Sequence, residues 1–240
     1  MYNNNISGGE YMEYSYDRDE LSFSKYLAKC FLWMFVGLLL TFGSALLFSI
    51  SGLYLKLLDS LGTLFILGIS ILEIVLVISV SRVIFKLDTK KAISLFIAYS
   101  IINGITFSSI FYVFELSSII YVFLITSLVF GAMALIGYTT KVDLSKLGSF
   151  ISVSLILLLI TGIILIFINN NTVYLMYMLL GVGLFLLITA YDIHVIKKMY
   201  NMTTSYEQQN ALAIYGALQL YLDFINLFIR LLSLFARNRD

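Results

Sequence analysis

The sequence predicts an all-α integral membrane protein with seven transmembrane helices, and three observations carry that prediction. Of 240 residues, 60% are hydrophobic and 12% charged, with a mean hydropathy of +0.97; soluble domains are about half apolar and about a quarter charged. The apolar residues gather into seven runs, each near the ~20 residues a helix needs to cross the hydrocarbon core, at 26–50, 60–85, 91–114, 118–139, 147–168, 173–199 and 211–235. The breaks at 51–59, 86–90, 115–117, 140–146, 169–172 and 201–210 are short, and no linker, low-complexity tract or repeat divides the chain. Residues 26–240 therefore read as one transmembrane domain.

Ahead of it, residues 1–25 form a polar, acidic tail carrying Glu10, Glu13, Asp17, Asp19 and Glu20. The tail lacks the basic start and small-residue cleavage site of a secretory signal, so the first apolar run is expected to remain as a true span. The tail itself reads as a loosely ordered cytosolic extension, open to a partner. Orientation follows from the basic residues. Arg18, Lys25, Lys29, Arg82, Lys86, Lys90, Lys91, Lys141, Lys146, Lys197 and Lys198 fall on the tail and alternate connections, whereas the opposite connections hold only Lys56. The N-terminus is thus expected in the cytoplasm. An odd number of spans sends Arg237 and Arg239 to the far side, so either the last helix crosses against the charge rule or it re-enters.

Composition also excludes several functions. A net charge of +1 with no basic stripe argues against nucleic-acid binding. The single Cys30 allows neither a disulfide nor a cysteine metal site within one chain; it reads as a small apolar filler. The absence of Pro and the abundance of Ile, Phe, Tyr, Asn and Lys suggest an AT-rich, bacterial source, and hence a bacterial plasma membrane.

The last run is the most informative. Gly216, Gln219, Asp223, Asn226, Arg230, Ser233 and Arg237 succeed one another at steps of three and four, which lines them along one helix face. A charge at mid-bilayer costs at least about 2.5–3.5 kcal/mol, so this helix is expected at the centre, its polar stripe toward other helices or a water-filled cavity. A polar packing seam without a transport role is the plainer alternative. In the preceding run Asp192 stands in Ala190-Tyr191-Asp192-Ile193, and positions 192 and 223 are symmetric about Tyr206-Glu207-Gln208-Gln209. In an antiparallel hairpin they share a depth. If their rotations agree, two carboxylates in a low-dielectric setting share a proton and titrate as a coupled pair, forming a proton-controlled latch or an intermittent site for a hard cation. Helix bridging by hydrogen bonds is the structural alternative.

Glu73, midway along the second run, is the third candidate, since an intramembrane carboxylate is a functional hypothesis by default; the competing reading is a protonated packing acceptor. Arg82 lies nine residues on and so on the opposite face, near the cytoplasmic end, where it can snorkel. His194 and Lys197/Lys198 read as interfacial residues. Asn103-Gly104-Ile105-Thr106 suits close helix packing through a small residue and hydroxyls.

With these residues located, the chain resembles the Bax inhibitor (transmembrane Bax inhibitor motif) family, particularly its small bacterial members. The most specific segment is Gly216-Ala217-Leu218-Gln219-Leu220-Tyr221-Leu222-Asp223-Phe224-Ile225-Asn226-Leu227-Phe228, followed by Ile229-Arg230-Leu231-Leu232. Ala190-Tyr191-Asp192, Asn103-Gly104-Ile105-Thr106 and Leu72-Glu73 look like weaker motifs of the family. The resemblance implies two three-helix layers around a central C-terminal helix, and a pH-sensitive calcium leak. It implies further that Asp192 and Asp223 are the pH-sensing pair and transient calcium ligands, with Glu73 the acidic residue of the second span. The basic plug maps to Arg82 or Lys86. Lipids, calcium and protons are then the partners, no permanent cofactor is needed, and no enzymatic activity is implied.

Two other readings stand beside the leak. An intramembrane aspartyl protease also needs two Asp on adjacent helices, but Leu220-Tyr221-Leu222 replaces that class's Gly-x-Gly turn and a chain without Pro lacks its Pro-Ala-Leu element. A non-transporting regulator would bind membrane proteases or stress-response partners through its helices or tail.

Overall fold

In a hydrocarbon medium each backbone N–H must find its acceptor within its own segment, which leaves helices as the solution for apolar runs of this length. The structure, a computed structural model, describes residues 22–84, 88–168, 170–203 and 205–237, and among these all regular elements are helices. They are α1 (Phe23–Ile50), α2 (Leu53–Leu61), α3 (Thr63–Ile84), α4 (Thr89–Phe107), α5 (Ile110–Val113), α6 (Leu116–Thr139), α7 (Gly148–Leu165), α8 (Asn171–Met202) and α9 (Tyr206–Phe235). Seven spans result: α1, α3, α4 with α5, α6, α7 with its leading 3-10 turn, α8 and α9. Residues 1–21 of the predicted tail, together with Lys86 and Arg239, lie outside the described residues.

Local chemistry moves several boundaries away from the sequence reading. α1 already starts at Phe23, inside the predicted tail, its first turn closed by Tyr26 N donating to Ser22 O. The break at 51–59 holds α2, set between Gly52 at φ +66° and Gly62 at φ +54°, a left-handed conformation that only glycine adopts without strain. The third span bends after Phe107, where Ser108 Oγ donates to Gly104 O and Ser109 Oγ to Thr106 O; such back-bonding hydroxyls compete with the helical ladder. The break expected at 201–210 shrinks to 203–205. Ser205 caps α9 by accepting from Gln208 N at 3.3 Å, in a Ser-x-x-Gln arrangement that starts helices.

α1, α3 and α4 form one layer and α6, α7 and α8 the other, with α9 held between them, mainly against α8 and α1. Burial makes the same point: 67% of the apolar stretch of α9 is buried, against 6% to 33% in the other six spans. Lipid tails are as apolar as leucine, so close packing and polar bonds hold such layers together. A methyl group on Gly104 would overlap Ser44 Oγ and the Thr41 carbonyl, and one on Gly137 would sit 2.5 Å from Ala190 O. These glycines let α1 approach α4, and α6 approach α8.

The bundle's two ends are fixed by contacts. At one end Phe23 packs on Tyr138 and Tyr200. At the other, Glu115 N donates to Arg237 O and Arg237 N to Ser118 Oγ, while Tyr112 Oη donates to Ser49 O. α9 therefore crosses the whole bundle over 30 residues, about 45 Å at 1.5 Å per residue. In this arrangement α9 runs from one end of the bundle to the other without turning back.

Candidate functional site

Helical spacing puts Asp192 on the α9 side of α8, and Asp223 on the α8 side of α9. Both are buried, and their carboxyl groups lie within side-chain hydrogen-bonding reach of each other. An ionised carboxylate can only accept, so a bond between two of them requires a proton on at least one. Asp223 Oδ2 is buried and has no hydrogen-bond partner among the described residues. The two carboxyls thus face each other with acceptor capacity in reserve.

On the opposite side of α9, Tyr221 anchors a second polar cluster. Its hydroxyl is 2.6 Å from Thr41 Oγ1 and accepts from Asn103 Nδ2 at 2.7 Å. Thr41 Oγ1 in turn donates toward Gly37 O and Ser100 O, both at 2.9 Å. With Tyr221 donating to Thr41, each of the two hydroxyls both accepts and donates, and the single Thr41 proton is shared between the Gly37 and Ser100 carbonyls. The Tyr221 ring also meets Phe96 and Tyr99 edge-on. Sequence reasoning missed Tyr221 and Thr41 because tyrosine and threonine in an apolar run read as bulk; the available signal was the polar Asn103 opposite them.

Glu73 is half-buried on α3 and accepts from Thr106 Oγ1 at 2.6 Å. No hydrogen bond joins it to either aspartate. Arg82 is exposed near the end of α3 and forms no ion pair with a described carboxylate. On the remainder of the α9 stripe, Asn226 Nδ2 donates back to Leu222 O at 2.8 Å, and Gln219 Oε1 is buried without a partner among the described residues. Arg230 is buried against α8. His194 lies at the bundle end, 3.1 Å from Ser145 Oγ and 3.5 Å from Asp143 Oδ1. The backbone amide and then the hydroxyl of Ser145 hold the Asp143 carboxyl below the usual carboxylate range.

Among the described residues, no three His, Cys, Asp or Glu side chains converge as a metal cluster. Two carboxylates at one depth can still meet a passing divalent ion, because hard cations take carboxylate and carbonyl oxygens and keep waters.

Comparison with known proteins places this arrangement in a family. The model of the family described as inhibitor of apoptosis-promoting Bax1 matches residues 23–240. The inner membrane protein YbhL of Escherichia coli K12 is 38% identical over 216 residues, covering 89% of this chain and 92% of its own. A protein of Borreliella burgdorferi is 34% identical over 218 residues, 90% of this chain and 94% of its own. A membrane protein of Streptococcus pyogenes serotype M1 is 34% identical over 171 residues, 71% and 74% of the two chains.

Proposed function

The chain belongs to the Bax inhibitor family of membrane proteins, and on that premise we propose that it is a pH-sensitive calcium leak gated by the Asp192/Asp223 pair. The observation that carries the reading is the contact itself: two buried carboxyls from α8 and α9 engage each other beside the central helix.

While one proton is shared, the pair ties α8 to α9. Its loss sets two negative charges against each other, worth about 4 kcal/mol at 4 Å and an effective dielectric near 20. That repulsion disfavours the closed arrangement and shifts the population toward open states. The freed oxygens then serve calcium as transient ligands, calcium being cargo and no permanent cofactor being involved. Gln219, Asn226 and Arg230 continue the polar path along α9, Glu73 supplies a further carboxylate on α3, and Arg82 or Lys86 is the basic residue available to close it. The basic connections support a cytoplasmic N-terminus, and the membrane is then the bacterial plasma membrane. A helix that runs unbroken through Asp223 favours a leak over an intramembrane protease, since it offers no unwound backbone to a substrate.

The test is calcium influx into liposomes loaded with a calcium dye, stepped in pH. Wild type responds to pH, and Asp223→Asn, which keeps the shape and one hydrogen bond but cannot ionise, loses that response. An unchanged pH response in the variant overturns the reading.

A further inference from the structure

Arg230 carries a charge that the aspartate pair does not use. Its guanidinium is buried, Nε has no hydrogen-bond partner, and among the described residues no carboxylate pairs with it. Instead it sits between two rings, with Cζ 4.9 Å from the centroid of Tyr177 and 5.3 Å from that of Phe185. Its other contacts are weak: Nη2 lies 3.5 Å from Tyr177 Oη and Nη1 lies 3.9 Å from Met178 Sδ. The seat depends on Gly181, where a methyl group would overlap the guanidinium. Burying a charge without a counter-ion is costly, and ring faces recover only part of that cost. Arginine cannot escape by losing its proton.

Seven residues, or about 10.5 Å along the axis, separate Arg230 from Asp223 on the same face of α9. The arginine lies toward the end of the bundle where α9 meets Glu115 and Ser118. We propose that Arg230 is an electrostatic barrier in the path, a fixed positive charge that limits how fast a divalent cation reaches the aspartates from that end. This inference rests on the calcium-leak reading. The absence of a counter-ion among the described residues is what gives the barrier its strength, because a neighbouring carboxylate would cancel the field. Between water and a protein-like dielectric, a charge at this distance changes the approach of a divalent ion by on the order of tenfold, and that of a monovalent ion by about the square root of that factor.

The experiment compares calcium and sodium influx into liposomes for wild type, Arg230→Gln, Arg230→Lys and Asp223→Asn. Removing the charge is expected to raise calcium influx about tenfold and sodium influx about threefold, with pH dependence kept. Arg230→Lys should fall between wild type and Arg230→Gln, because a buried lysine without a counter-ion can shed the proton that arginine keeps. A structural tie between α8 and α9 would alter both ions equally or lower the flux, and either result overturns the barrier. Arg230→Gln equal to wild type, with Asp223→Asn still losing its pH response, overturns the barrier and leaves the leak standing. A wild type that passes no calcium at any pH overturns both. Should Arg230→Gln not be recovered folded, Gly181→Ala takes its place. It keeps the charge but removes its seat, so calcium influx should rise more than sodium influx, and unchanged flux overturns the proposal.

Discussion

Tyr221 and Asp223 stand two residues apart on α9 and face opposite layers, yet their surroundings differ in kind. The hydroxyl of Tyr221 is engaged by Thr41 and Asn103, and its ring is enclosed by Phe96 and Tyr99. Asp223 has one carboxyl neighbour and an oxygen without a partner. A fully satisfied buried network rigidifies the fold, whereas a partly satisfied one retains alternatives. The layer of α1 and α4 therefore holds α9 through satisfied polar bonds, and the side facing α8 keeps the unpartnered carboxyl oxygen on which the proposed proton gate rests.

The sharpest way to break this contrast is Tyr221→Ala. It removes a buried ring and leaves Thr41 and Asn103 short of a partner, so a loss of about 3–5 kcal/mol is expected on unfolding in detergent. A smaller effect than that of Asp223→Asn would reverse the roles of the two sides. Tyr221→Phe keeps the packing and should cost about 1–3 kcal/mol for the unsatisfied groups alone. Asp223→Asn should stay within about 1 kcal/mol of wild type, because a hydrogen bond to Asp192 survives, while the flux loses its pH response. Thr106→Val removes the donor to Glu73 and should cost about 1 kcal/mol at that half-buried site.

The smallest effect concerns Asp143 at the bundle end. Its carboxyl is held below the usual range by Ser145, so its contribution to stability is present above the ordinary carboxylate range and is lost as pH falls through the lowered value. Asp143→Asn should therefore lower stability slightly at neutral pH, where that contribution is fully present, and flatten the acid limb of the stability profile. Unchanged stability at neutral pH, or an acid limb that keeps its slope, would mean that the bonds from Ser145 contribute nothing at this exposed site.

Much of the fold was legible because its determinants are local. Seven apolar runs, the shared depth of 192 and 223 about their connection, and the stripe on α9 all follow from lengths and periods. The corrections are equally local in origin but subtler. Hydroxyl back-bonding bends the third span, two left-handed glycines insert α2, and a serine cap brings α9 forward to Tyr206. Less legible was Arg82, one of the two residues to which the resemblance maps the basic plug; in the fold it is exposed near the end of α3. Arg230 was legible as part of a stripe but not as a cation lacking a counter-ion among the described residues, since that depends on which face of α8 lies opposite.

By itself the sequence determined how many times the chain crosses, because each apolar segment must satisfy its own backbone within a medium that offers no hydrogen bonds. Only the tertiary structure decided that α9 crosses completely, that Asp192 turns toward Asp223, and that Arg230 turns toward rings. A helical period specifies which residues share a face. The rotation of that face toward a neighbour is set by close packing of several helices at once, through contacts such as Gly104 on Thr41 and Gly181 on Arg230.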